Sequence, residues 1–132
     1  MKPVKARMTS PLSQGSRLTC ADNTGAKILE IISFKGYKGV KRRKPRGGVG
    51  GAIKATVKKG DVKIRKQVVD AVIIRQKASY RRKNGLRVKF EDNAAVLINE
   101  KGEARGTQVK GPVAREAVER YSTIGKISKI VV

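Results

Sequence analysis

Val and Ile together account for 26 of the 132 residues, against 5 Leu. Branching at Cβ stiffens χ1 and disfavours helix, so a chain rich in these residues is driven toward strands. Here they come in short blocks punctuated by Gly, the pattern of short strands joined by tight turns. The blocks predict strands at Ser16–Ala21, Lys27–Lys35, Ala52–Lys58, Lys66–Gln76, Leu86–Glu91 and Ala94–Asn99. In the stretch from Leu86 to Glu91, apolar and charged residues alternate, as in a half-buried strand. The stretch from Val68 to Ile74 is more continuously apolar, as in a strand covered on both sides.

The connections read as tight. Asp22-Asn23-Thr24-Gly25 is a turn in which Asx side chains bond back to the chain and Gly accepts positive φ. Glu91-Asp92-Asn93 reads as a short hairpin loop. Five or six short antiparallel strands with no helix between them point to a small closed barrel, which also removes exposed sheet edges. Helical spacing appears only after Gly111-Pro112, with Pro at the first helical position. Val113, Ala114, Ala117, Val118 and Tyr121 then share one face, and Arg115, Glu116, Glu119 and Arg120 the other. Ile124, Ile127 and Ile130 fit either a second short helix or a strand. The expected organisation is one domain, 1–132: an extended arm at 1–14, a barrel with basic hairpins at 15–110, and a short helical region at 111–132.

A chain of this length buries a core without disulfides or a structural metal. It has no His and one Cys, Cys20, which excludes His-based triads, an internal disulfide and a Cys₄ metal site. No cofactor or metal is expected. No apolar run approaches the ~20 residues of a membrane helix, and the N-terminus lacks the apolar stretch of a secretory signal. The expected location is cytoplasmic, with no membrane partner.

Charge narrows the function. Lys and Arg number 32 against 10 Asp and Glu, a net charge of +22. The excess is uneven: residues 31–90 carry 20 basic and 2 acidic side chains. A charged half implies a binding face for a polyanion, and nucleic-acid phosphate is the best candidate. Two segments concentrate it. The first holds Lys35, Lys38, Lys41, Arg42, Arg43, Lys44 and Arg46 before a Gly47-Gly48-Val49-Gly50-Gly51 run. The second holds Arg75, Lys77, Arg81, Arg82 and Lys83 before an Asn84-Gly85 turn, and should project as a hairpin. Arg supplies a planar fork of donors that matches phosphate oxygens. Of five aromatics, Phe34 and Phe90 belong to apolar strands, and only Tyr37 and Tyr80 lie in basic segments. Few stacking platforms favour recognition of RNA backbone and shape over single-strand stacking.

The glycine run at 47–51 lacks the Gly-Lys-Ser/Thr ending of a nucleotide loop and precedes a β-branched strand, so a flexible hairpin base is the better reading. Glu91 with Asp92, and Glu100 with Glu103, read as turn or solvated acids. Cys20 reads as a small core residue. Nothing supports an enzyme.

Three stretches resemble the universal large-subunit ribosomal protein family number fourteen: residues 20–27; Ala71-Val72-Ile73-Ile74 with Asn84-Gly85 and residues 90–98; and Gly111-Pro112-Val113-Ala114-Arg115-Glu116. The resemblance spans about residues 16–132, and the arm and the 75–85 stretch look like the archaeal and eukaryotic branch. It implies a mainly β fold: a closed five-stranded β-barrel with a projecting β-ribbon and short C-terminal helices. It also implies a structural role in the large ribosomal subunit, with large-subunit rRNA as the ligand of the basic hairpins. Implied neighbours are large-subunit proteins numbers three and twenty-four, small-subunit rRNA at an intersubunit bridge, and the anti-association initiation factor six. Residues 100–132 carry seven basic and four acidic side chains, a mixed surface suited to selective docking. The expected interface residues are Arg115, Glu119, Arg120 and Lys126. A rival reading is a free nucleic-acid-binding barrel, such as a chaperone or chromatin protein.

Overall fold

The computed structural model describes residues 3, 4 and 6–132. In chain order the strands are β1 (Ala6–Arg7), β2 (Leu12–Ser13), β3 (Arg17–Cys20), β4 (Ala26–Phe34), β5 (Arg46–Gly47), β6 (Ala52–Gly60), β7 (Val68–Arg75), β8 (Tyr80–Arg82), β9 (Arg87–Val88), β10 (Ala94–Ile98) and β11 (Val109–Val113). Two short helices, α1 (Arg115–Arg120) and α2 (Ser122–Ile127), precede a last strand, β12 (Ser128–Val131).

Five strands close the barrel in the order β10-β3-β4-β6-β7. The β-branched blocks at 16–21, 27–35, 52–58, 66–76 and 94–99 supply all five. The sequence predicted antiparallel strands throughout, but β10 runs parallel to β3, with Ala94 opposite Thr19. The Asp22–Gly25 turn joins β3 to β4, with Gly25 at φ 97°, a conformation that favours glycine. It does more than turn the chain. The buried Asp22 carboxylate accepts from the Leu97 N–H (2.9 Å), the Thr24 hydroxyl (2.6 Å) and the Cys20 thiol (3.1 Å), tying the turn to β10.

Burial separates two sides of the barrel. In β6 buried and more exposed residues alternate, while all of β10 and Ala71–Arg75 of β7 are buried. The C-terminal region packs against β7: the Ala114 N–H donates to the Ile74 carbonyl (3.1 Å), and Val113, Ala117 and Ile124 are fully buried.

Several local readings take a different form in the fold. The alternating stretch at 86–91 is not a barrel strand. Only Arg87 and Val88 pair, with β8, and Leu86 is exposed. The Glu91–Asn93 loop therefore joins β9 to the barrel and makes no hairpin. Gly111 and Pro112 lie in β11, parallel to β12, so α1 begins at Arg115. Residues 122–131 form both a helix and a strand, because β12 finds a partner in β11. Finally, the expected arm at 1–14, whose residues 1, 2 and 5 lie outside the described residues, is extended but held. Its β1 pairs with β8 and its β2 with β5.

Candidate nucleic-acid interface

The first basic segment leaves the barrel after β4. A turn closed by the Arg43 N–H and the Val40 carbonyl (3.0 Å) places Arg42 at φ 67°. Tyr37 lies across the loop and donates its hydroxyl to the Lys44 carbonyl (3.3 Å). Lys35, Lys38, Lys41, Arg42, Arg43, Lys44 and Arg46 are all exposed. Only Lys35 forms an ion pair among the described residues, with Asp70 at 2.8 Å. The other six cations are held out in solvent. At the base of the loop, the glycine run, expected from sequence to be a flexible hairpin base, is packed into the fold. Gly48, Val49 and Gly50 are buried, and the Val49 N–H donates to Gln76 Oε1 at 2.9 Å. A Cβ on Gly48 would lie 2.3 Å from the Thr9 carbonyl oxygen, so glycine here lets the arm cross close over the loop base.

The second segment divides. Lys77, Arg81 and Lys83 are exposed, as a phosphate contact requires. Arg75 and Arg82 are not. Arg75 lies under β11, bonded twice to Asp92 (2.8 and 3.1 Å) and to the carbonyls of Lys110 (2.9 Å) and Pro112 (2.8 Å). Its donors knit the barrel to the C-terminal strand, so its place among the expected RNA contacts is corrected to a structural one. Arg82 is taken up likewise. Its Nε donates to Glu116 Oε1 (2.7 Å) and its Nη2 to the Val132 carbonyl (2.6 Å), and its guanidinium lies 5.9 Å from the Tyr80 ring centroid.

Glu116 is an acid whose role the sequence concealed. The helical spacing put it on the polar face of α1, yet it is 4% exposed. The reason is that α1 packs beneath β8, so that face meets Arg82 and Tyr80 instead of water. The Tyr80 hydroxyl donates to Glu116 Oε2 at 2.8 Å. Burial alone would push the Glu116 carboxyl up, but the hydrogen bonds from Arg82 and Tyr80 outweigh it and hold the group below the usual carboxylate range. Burial and the Glu116 carboxylate push the Tyr80 phenol up. Tyr80 is 1% exposed and so is no platform for a base. Cys20 is buried, and that burial, with the Asp22 carboxylate beside it, pushes its thiol up to about 12.

The residues expected at a protein interface also divide. Arg115, Glu119 and Lys126 are exposed on α1 and α2. Arg120 is half-buried. Its Nη1 donates to the Gly50 carbonyl (3.2 Å), and its Nε is enclosed without a hydrogen-bond partner among the described residues. No group of three or more Cys, Asp or Glu side chains that could hold a metal occurs among the described residues. One cationic cluster was illegible in the sequence: β1 sets Arg7 opposite Arg81, and β9 sets Arg87 opposite Arg81 on the other side.

Residues 11–132 match the family model described as ribosomal protein L14p/L23e. Full-length archaeal relatives agree. The chain is 52% identical over 132 residues to the large ribosomal subunit protein uL14 of Methanoregula boonei, covering 100% of both chains. It is 51% identical over 132 residues to that of Halorubrum lacusprofundi, again covering 100% of both. It is 51% identical over 131 residues to that of Methanococcus maripaludis, covering 99% of both. The exposed cations therefore stand on a β-barrel whose sequence runs in step with ribosomal proteins from end to end, and the chain belongs to the ribosomal protein L14p/L23e family, structural components of the large subunit of the cytoplasmic ribosome and not enzymes.

Proposed function

We propose that the chain anchors large-subunit rRNA through the 35–46 loop, assisted by Lys77, Arg81 and Lys83, while the outer face of α1 and α2 meets protein and the small subunit. The observation that carries this reading is the state of the loop: six of its seven cations are exposed with no carboxylate partner among the described residues. Cations kept clear of internal acids are available to displace the counterions of a phosphate backbone. With ~6–8 phosphates neutralised, log K should fall against log salt with a slope of roughly −4 to −7. Replacing Lys41, Arg42, Arg43 and Lys44 by Ala should make that slope shallower. An unchanged slope would remove the loop from the contact surface.

The mixed-charge surface carrying Arg115, Glu119 and Lys126 suits docking in a fixed register. Its proposed contacts are small-subunit rRNA at an intersubunit bridge and the anti-association initiation factor six. Large-subunit proteins numbers three and twenty-four are the proposed neighbours elsewhere on the chain. Arg120 has a smaller part, since it is engaged with Gly50. An Arg115→Glu, Lys126→Glu double variant should still enter large subunits, yet join small subunits or the factor poorly. Failure of the folded variant to enter large subunits would make this surface an rRNA anchor instead.

A further inference from the structure

We infer that Gln76 is a positioning residue that holds the two basic segments in one fixed arrangement, and so sets a preference for rigid duplex RNA over a flexible single strand. The inference rests on the RNA-binding reading above and adds no ligand contact to it. Gln76 acts through the backbone that it fixes.

Gln76 follows β7 directly and is fully buried. A buried polar side chain is held by its hydrogen bonds, and here they reach three stretches of chain remote from one another in sequence. Oε1 accepts from the Val49 N–H (2.9 Å), just beyond Arg46, the last cation of the loop. Nε2 donates to the Ala78 carbonyl (3.0 Å), between Lys77 and Arg81, and at 3.5 Å to the Thr9 carbonyl of the arm. The Thr9 hydroxyl donates in turn to the Ser79 carbonyl (2.7 Å), so the arm closes the same junction. The Gln76 main-chain carbonyl accepts from the Phe90 N–H (3.2 Å), where the chain returns from the second segment.

The junction calls for a primary amide. Its oxygen meets an N–H and its nitrogen meets carbonyls, and only Asn and Gln carry an acceptor and two donors on one planar end. A carboxylate would turn an oxygen toward the Ala78 carbonyl, and an apolar side chain would leave the buried Val49 N–H without this acceptor. Other bonds at the loop base lead to the barrel: the Gly50 N–H donates to the Ile73 carbonyl (2.8 Å), and the Ile73 N–H to the Gly51 carbonyl (3.1 Å). The Gln76 side chain leads from the loop base to the second segment. Both cationic stretches therefore leave from one junction. A duplex presents phosphates at fixed positions, and meeting it with both stretches at once favours a preorganised backbone. A single strand bends to suit either arrangement.

The test compares affinities of the full chain for a short RNA duplex and for a single strand of the same length, at one salt concentration. Gln76→Met removes no charge and is close in volume. It should lower the duplex-to-single-strand affinity ratio by ~5-fold or more, the lower end of coupling between two sites, while single-strand affinity holds. An unchanged ratio in the folded variant overturns the inference. An equal fall for both RNAs also overturns it, since a purely structural role has no reason to favour either. If Gln76→Met does not fold, a second measurement leaves Gln76 in place. With Lys41, Arg42, Arg43 and Lys44 replaced by Ala, the duplex is held through the second segment. Its binding should then slow hydrogen exchange at the Val49 N–H more than at the amides of β4, and equal slowing overturns the inference. The same Ala variant separates the two readings. If it binds both RNAs as the parent does, the RNA-binding reading fails and takes this inference with it; if its binding falls while the Gln76→Met ratio holds, only this inference is refuted.

Discussion

The two basic segments look alike in the sequence and behave differently in the fold. The 35–46 loop carries seven cations and the 75–85 segment five. In the loop, six remain exposed with no carboxylate partner among the described residues. In the second segment, Arg75 and Arg82 turn inward and are saturated by Asp92, Glu116 and main-chain carbonyls. The difference lies in what folds over each. The loop leaves the barrel between two of its strands, β4 and β6, whereas Arg75 and Arg82 of the second segment face β11, α1 and the Val132 carbonyl. A basic side chain near an interior acid becomes part of the framework, and one beyond reach of any acid stays available to a ligand.

The largest test of this contrast is Arg82→Ala. It leaves Glu116, whose side chain is 5% exposed, as a buried charge without its cation, and breaking such a pair costs ~3–5 kcal/mol. Chemical denaturation should show that loss in the RNA-free protein. An effect confined to RNA affinity would return Arg82 to the ligand surface.

Next is the acid limb. Because the Glu116 carboxyl titrates below its unfolded value near ~4.3, its contribution to stability is present above about that pH and lost as pH falls through the folded value. Glu116→Gln should therefore flatten the fall in stability below pH ~4.5, measured by denaturation at stepped pH. An unaltered acid limb in the variant would place the proton uptake elsewhere.

Gly48→Ala tests the base of the exposed loop. The added methyl meets the Thr9 carbonyl oxygen and Gln76 Oε1 at 2.3 and 2.7 Å, so backbone must shift, at a cost of ~1–3 kcal/mol. Hydrogen exchange should then quicken at β2 and β5. Unchanged protection would mean that the arm seats independently of the loop base.

The smallest effect on stability belongs to the loop itself. Individual Ala substitutions at Lys41, Arg42, Arg43 and Lys44 should change unfolding free energy by no more than ~0.5 kcal/mol each, since these side chains are exposed and form no ion pair among the described residues. Thermal melts check this, and a loss comparable to that of Arg82→Ala would erase the contrast between the segments.

Much of the fold was legible. Cβ-branching and glycine spacing located all five barrel strands, since a strand's apolar content and its turns are local properties. The stretch at 86–91 misled because alternation records which residues prefer burial, not which strand is free to pair with them. Phe90 is buried, but Leu86 is not, and the segment turns away to β8. Pro112 misled in a related way: its fixed φ suits a helix start and also a strand, and the parallel partner β12 decided between them.

The sequence by itself determined a β-rich chain, a polyanion-binding half and an exposed loop with nothing nearby to neutralise it. Those depend on composition and on neighbours along the chain. Only the tertiary structure decided which cations face outward. Glu116 is 34 residues from Arg82, and Arg7 is far along the chain from Arg81 and Arg87. One pairing consumes a charge and the other concentrates it. Both are set by strand register and by packing of the C-terminal helix, which no local pattern of residues encodes.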